Sequence, residues 1–201
     1  PVAISVDLVG RLIHAQFPQW ADLTVQAVSP GGWDNRTFRL GRHMLVRLPS
    51  AEAYAAQLER ERRWLPVLAP HLSQPIPEPL AVGEPCFGYP WRWSIYRWLE
   101  GDTALPERIG NLDEFARGLS VFLRSLHAVS TQGGPAAGPD TFHRGGSLAV
   151  YDGETRQAIA ALEPRLNVEA ATATWKTALA SRWMREPVWV QGDMAPSEDP
   201  T

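Results

Sequence analysis

The 201-residue chain carries 19 Lys plus Arg against 22 Asp plus Glu, a formal net charge of −3, with 44% hydrophobic residues. That balance is globular rather than disordered, and it lacks the basic face of a nucleic-acid binder. No apolar run approaches a bilayer span, no basic stretch precedes an apolar core at the N-terminus, and the single Cys86 makes neither an internal disulfide nor a zinc set. A cytoplasmic setting without membrane or nucleic-acid partners is the expectation, and Pro1 implies that an initiator Met has been removed.

Residues 5–17 open with a possible Ser N-cap and an early Asp. They carry Leu8, Leu12 and Ala15 at helical spacing and stop at Pro18. Residues 24–29 alternate like a strand. A turn cluster at 30–35 follows, then two short strands at 37–40 and 44–48 around Gly41-Arg42-His43, the pattern of a hairpin. Residues 51–68 turn helical. At 100° per residue Tyr54, Leu58, Leu65 and Leu68 share a face, Glu61 falls within that stripe, and Pro66 is expected to kink or end the helix. After the stiff Pro75-Ile76-Pro77-Glu78-Pro79, two more strands are expected near 80–82 and 93–98.

The second half reads as helical. Leu112, Phe115, Leu119, Phe122, Leu123 and Leu126 fall within about a 100° sector. Residues 130–147, rich in Gly and Pro, predict a long loop. Helices are expected over 151–162 and roughly 170–183, then a short apolar strand at 187–190, and a polar tail at 194–201. The 18 prolines punctuate element ends rather than forming a linker. The sequence therefore predicts an α+β chain with a β-rich part at 1–98 and a helical part at 99–201.

Three motifs carry chemistry. Gly31-Gly32 between two strands lets the backbone approach a ligand, and successive N–H groups can cradle a phosphate. A plain hairpin turn with local hydrogen bonds from Asp34 and Asn35 is the other reading. Arg47 faces away from Val46 and Leu48 on its strand, and Glu61 sits on the apolar face of the next helix, where a carboxylate is costly without a cation. Such a strand-to-helix ion pair positions the phosphate-binding cation in nucleotide sites. A purely structural salt bridge, or a Glu61 turned to solvent, is the alternative. Gln191-Gly192-Asp193 follows the expected last strand, where an Asp can accept a hydroxyl proton or simply occupy a strand-exit turn.

The order of these motifs carries a resemblance. From about residue 25 to 193 the chain resembles the aminoglycoside phosphotransferase family, the branch of the kinase-like fold related to choline kinases. The matching segments are Gly-Gly-Trp-Asp-Asn-Arg-Thr-Phe-Arg-Leu at 31–40, Leu-Val-Arg-Leu-Pro at 45–49 and Glu-Arg-Arg-Trp-Leu-Pro at 61–66. Tyr-Pro-Trp-Arg-Trp-Ser-Ile-Tyr-Arg-Trp-Leu-Glu-Gly at 89–101, Phe-Leu-Arg-Ser-Leu-His at 122–127 and Val-Trp-Val-Gln-Gly-Asp at 188–193 complete the set.

The resemblance implies a kinase-like, two-lobed fold that transfers a phosphoryl group from ATP or GTP, with magnesium, to a hydroxyl of a small polar acceptor. It implies that Gly31, Gly32, Trp33, Asp34 and Asn35 cover the nucleotide phosphates and that Arg47 binds them with Glu61 as its helix partner. The backbone near Tyr96 to Trp98 would meet the purine, and Asp193 would be the catalytic Asp. Arg144-Gly145 would lie toward the acceptor.

The departures are Gln191 in place of the family's His before Gly-Asp, and Glu198 in place of its Asn, leaving Glu198 as a candidate magnesium ligand. Family chains continue into a strand pair bearing a second metal-binding Asp, whereas this one ends at Thr201. The expectation is a C-terminally truncated helical lobe with impaired transfer. The alternative is a non-catalytic remnant that binds nucleotide or a protein. Apolar surface on the 112–127 helix and the 187–190 strand would then favour a homodimer or a covering partner.

Overall fold

A computed structural model describes residues 3–29, 32, 34–102 and 104–192. Ser5 caps α1 (Val6–Gln16), its hydroxyl accepting from the Leu8 N–H at 3.2 Å. Four apolar residues of α1, Leu8, Val9, Leu12 and Ile13, are buried, while Ala15 is exposed. Strands β1 (Val25–Ala27), β2 (Asn35–Leu40) and β3 (Met44–Pro49) follow, then α2 (Glu52–Leu68), β4 (Pro79–Gly83) and β5 (Trp93–Arg97). The strands form one antiparallel sheet in the order β1-β2-β3-β5-β4, so β5 inserts between β3 and β4.

The pleat divides the sheet into two unlike faces. Phe38, Val46 and Ile95 stand in line across β2, β3 and β5, and with Leu40, Leu48, Tyr89 and Trp93 they join the α1 stripe in one core cluster. The opposite face carries Thr37, Arg47 and Ser94 in one row and Arg39, Leu45 and Tyr96 in the next. That polar face receives α2, whose Glu61 bonds Arg47 and Tyr96. The helix does not end at Pro66. It runs to Leu68 and tightens into a 3₁₀ turn at Ala69–His71. A proline in the last turn forfeits one N–H bond, which a helix already ending tolerates.

Two compact units divide at Val129 and Ser130. The first also holds α3 (Leu112–Ala128), capped by Asn111, whose side chain accepts from the Glu114 N–H at 3.1 Å. The second comprises Ser130–Gly192. Its Gly- and Pro-rich loop contains a 3₁₀ turn at Pro139–Thr141, and a further turn at Leu148–Tyr151 leads into α4 (Asp152–Ala161) and α5 (Val168–Ala180). Asp152 ties the two helices, accepting from the Trp175 indole at 2.7 Å and from Arg156 at 2.8 Å.

Two expectations need correction. Helix α5 stops three residues before Trp183, because the Ser181 N–H and hydroxyl both bond the Ala178 carbonyl. Residues 187–190 form no strand: among the described residues no neighbour offers them a ladder, and a strand exists only through such pairing. The segment is held instead by the Trp189 indole, which donates to the Ser130 carbonyl at 3.0 Å.

Candidate functional site

The centre of the site is a charged triangle on the polar face of the sheet. Arg47 Nη1 donates to both Glu61 oxygens, at 3.2 Å and 3.1 Å. One turn earlier on α2, Gln57 Nε2 donates to Glu61 Oε1 at 2.9 Å. The Tyr96 hydroxyl donates to Glu61 Oε2. The Arg47 guanidinium also lies 5.5 Å from the Tyr96 ring centre. Side-chain exposures of 23% for Arg47 and 17% for Glu61 place the pair at a rim, reachable by a ligand yet shielded enough for charge to matter. Burial and the Glu61 carboxylate push the Tyr96 phenol well above the ordinary tyrosine range, so it stays a donor.

A recess opens beside this triangle, lined by Asn35, Arg47, Pro49, Tyr54, Gln57, Leu58, Glu61, Ser94 and Tyr96. Three of the expected site residues, Asn35, Arg47 and Glu61, thus share one recess with the Tyr96 side chain. Next to it, the end of the glycine cluster is pinned: the Asp34 carbonyl accepts from the Ser50 N–H and from the Ser50 hydroxyl, both at 2.9 Å. The Gly32 carbonyl accepts from Arg36 Nη1 at 3.1 Å, and a side chain at Gly32 would stand 3.0 Å from the Asn35 carbonyl. Gly31 and Trp33 lie outside the described residues.

At the end of β5 the Arg97 N–H is taken by the Glu78 carbonyl and the Trp98 N–H by the His43 carbonyl. Both of these backbone donors are thus already engaged within the fold. The Trp98 ring carries the Arg39 guanidinium at 4.3 Å, and its buried indole N–H has no hydrogen-bond partner among the described residues.

In the second unit, Gln191 and Gly192 run alongside the glycine-rich loop. A Cβ on Gly192 would lie 2.7–3.2 Å from the Arg144 stem, and one on Gly145 would lie 3.0 Å from Val190 Cγ2. Each glycine leaves room for a side chain of the facing segment, and Gly145 also holds φ +80°, a conformation that favours glycine. Asp193 and Glu198 lie outside the described residues. Among the described residues no group of three His, Cys, Asp or Glu side chains could hold a metal ion.

Sequence reasoning found the Arg47–Glu61 pair but missed the Tyr96 side chain, Gln57 and Ser50. Gln57 was findable, since it stands one turn before Glu61 on the same face. Tyr96 was readable as a hinge position, but alternation alone names no partner for its hydroxyl.

Residues 24–197 match the family model of the phosphotransferase enzyme family. No curated protein sequence matches. Among solved structures, the GDP and kanamycin complex of an APH(2″) enzyme superposes with a TM-score of 0.63 at 18% identity, over 87% of this chain and 58% of that one. Macrolide 2′-phosphotransferase MphH from Brachybacterium faecium gives 0.61 at 19% identity, over 95% and 66%. The ADP-bound aminoglycoside phosphotransferase APH(2″)-Ib gives 0.55 at 17% identity, over 86% and 57%. The chain thus spans less than two thirds of the length of the aminoglycoside enzymes it matches. No helix among the described residues is long and apolar enough to cross a membrane. The chain has the α+β kinase-like fold of these enzymes, and the family match over 24–197 makes it a member of the phosphotransferase enzyme family.

Proposed function

We propose that this chain carries the nucleotide-binding part of a phosphotransferase that moves the γ-phosphoryl group of ATP or GTP to a hydroxyl of a small polar acceptor. The observation that carries the reading is the rim-exposed Arg47 held by Glu61, with Asn35 and Ser94 in the same recess. A guanidinium fixed in this way presents its remaining donors to phosphate oxygens. In this reading residues 31–35 cover the phosphates, the backbone near Tyr96 to Trp98 meets the purine, and the two lobes divide at about residue 98. Asp193 accepts the acceptor's proton, and Glu198 offers a carboxylate to magnesium. The ligands of the similar solved structures, GDP with kanamycin in one and ADP in another, support the substrate classes.

A second reading, of a chain that binds nucleotide without transferring phosphate, is favoured by Gln191 and Glu198, which stand where the family carries His and Asn. General-base help contributes about 10²–10⁴-fold, less than the positioning and neutralisation of the phosphates in this chemistry. Retained Asp193 alone therefore predicts slow turnover by this chain. The test is titration with ATP and GTP in the presence of magnesium, followed by assay of phosphorylated product over a panel of aminoglycosides and other small hydroxyl compounds. Nucleotide binding that Arg47→Ala weakens on the order of tenfold supports the proposal, and absence of binding overturns it. Robust turnover abolished by Asp193→Asn overturns the second reading.

A further inference from the structure

Helix α2 presents Glu61 to the recess, yet little apolar packing holds it. Of its 17 residues Leu58 alone is buried, whereas the 11-residue α1 buries four. Beside the half-buried Tyr54, Trp64, Leu65 and Leu68, polar ties therefore help to set how α2 sits on the sheet. Successive residues are about 100° apart around a helix, so with Leu58 facing the sheet, Glu59 lies about 100° to one side and Glu61 about 60° to the other. The Glu61 tie is the one already described. The Glu59 tie runs to Arg92, just before β5: Arg92 Nη1 donates to Glu59 Oε1 at 2.8 Å.

Arg92 is itself held in place. Its Nε and Nη2 donate to the two oxygens of Glu84 at 3.0 Å and 2.5 Å. The Glu84 backbone is anchored in turn. Its carbonyl accepts from Gln16 Nε2 at 2.9 Å and from the buried Trp93 indole at 3.2 Å, and its N–H donates to Gln16 Oε1 at 2.7 Å. Burial pushes the Glu59 carboxyl up, but hydrogen bonds and charge from Arg92 and Arg62 hold it below the usual carboxylate value. A guanidinium gripped by one carboxylate in a fork and bonding a second carboxylate on another element is a geometry lysine cannot reproduce.

We infer that Arg92 is a positioning residue for the Arg47–Glu61 pair: through Glu59 it fixes the roll of α2 about its axis and so keeps Glu61 on Arg47. The consequence for ligand binding rests on reading Arg47 as the phosphate-binding cation. The clip itself does not rest on that reading, because it is a statement about α2.

The test compares Arg92→Ala, Arg92→Lys and Glu59→Gln with the parent chain. Two readouts are used: hydrogen exchange over residues 52–68, and affinity for ATP and GTP with magnesium. The expected result is α2 exchange faster by about threefold or more in Arg92→Ala and Glu59→Gln. Exchange in β2 and β3 stays unchanged, affinity falls by a similar factor, and Arg92→Lys lies between. Raising salt to roughly 0.5 M should loosen α2 in the parent and leave Arg92→Ala almost unmoved, since the clip is half exposed. Unchanged α2 exchange in Arg92→Ala overturns the inference. So does faster exchange with unchanged affinity in a parent that binds nucleotide. A parent that binds no nucleotide but whose α2 loosens on Arg92→Ala defeats the proposed function and supports the clip.

Discussion

Glu61 receives three donors from three different places: Arg47 on β3, Gln57 on its own helix and Tyr96 on β5. Removing it strands a guanidinium and a buried phenol together. Full burial of such a pair would make Glu61→Ala cost about 3–5 kcal/mol. The exposures of 23% and 17% let water recover part of that, so thermal unfolding should register about 2 kcal/mol. Tyr96→Phe leaves the carboxylate two donors and should cost about 1.5–3 kcal/mol, the worth of one hydrogen bond to a charged group. The phenols of Tyr89 and Tyr96 are both raised by burial, the latter also by Glu61. In the unfolded chain they lose their protons near pH 10, while in the folded chain they keep them. Their contribution to stability is therefore complete below about pH 10 and declines as pH rises beyond it. Phenolate absorbance in an alkaline titration should show a component from Tyr89 and Tyr96 that appears only as the fold is lost, and Tyr96→Phe should halve that component. Arg47 and Glu61 were legible in the sequence because strand alternation and helix phase each fix a direction. The Tyr96 hydroxyl was not, because the register that brings β5 beside β3 is set across the chain rather than along it.

At the scale of elements, β4 ends against a tryptophan. A Cβ on Gly83 would stand 2.0–2.4 Å from the Trp93 indole, which is fully buried. Gly83→Ala should therefore destabilise by about 3 kcal/mol, the upper range for overpacking, and a denaturant midpoint measures it. A substitution at Gly10, where nothing lies within 4 Å, is the matched control. The five strands and the first three long helices were readable from period and punctuation alone, down to the Ser5 cap, but not the order in which β5 joins the sheet. The segment 187–190 was misread for a physical reason: Val188, Trp189 and Val190 have strand composition, but composition supplies no partner for their backbone groups. Pro66 was over-read, since its penalty depends on how much helix follows.

At the scale of the molecule, the core is unevenly distributed. Among the described residues every buried hydrophobic side chain lies before Ser130, and none within 130–192 is buried. The first unit should outlast the second. Limited proteolysis is expected to cut first within 130–192 and to leave a resistant fragment close to 1–129. Preferential cleavage inside the sheet would contradict this. Exposed Leu112, Phe115 and Val121 on α3 also predict self-association that rises with concentration and is visible by light scattering. A monomer at high concentration would count against it.

The insertion of β5 between β3 and β4 has a kinetic consequence. The β2–β3 hairpin and α2 can form from near neighbours in sequence. Glu61, however, gains its third donor from Tyr96, 35 residues further along. That closure waits until β5 has threaded beside β3, past the helix that separates them in the chain. Pairings of such span are slow, because loop entropy must be lost before any contact rewards it. During synthesis, therefore, α2 emerges with its carboxylate unclaimed on one side, and the recess becomes a recess only when β5 arrives.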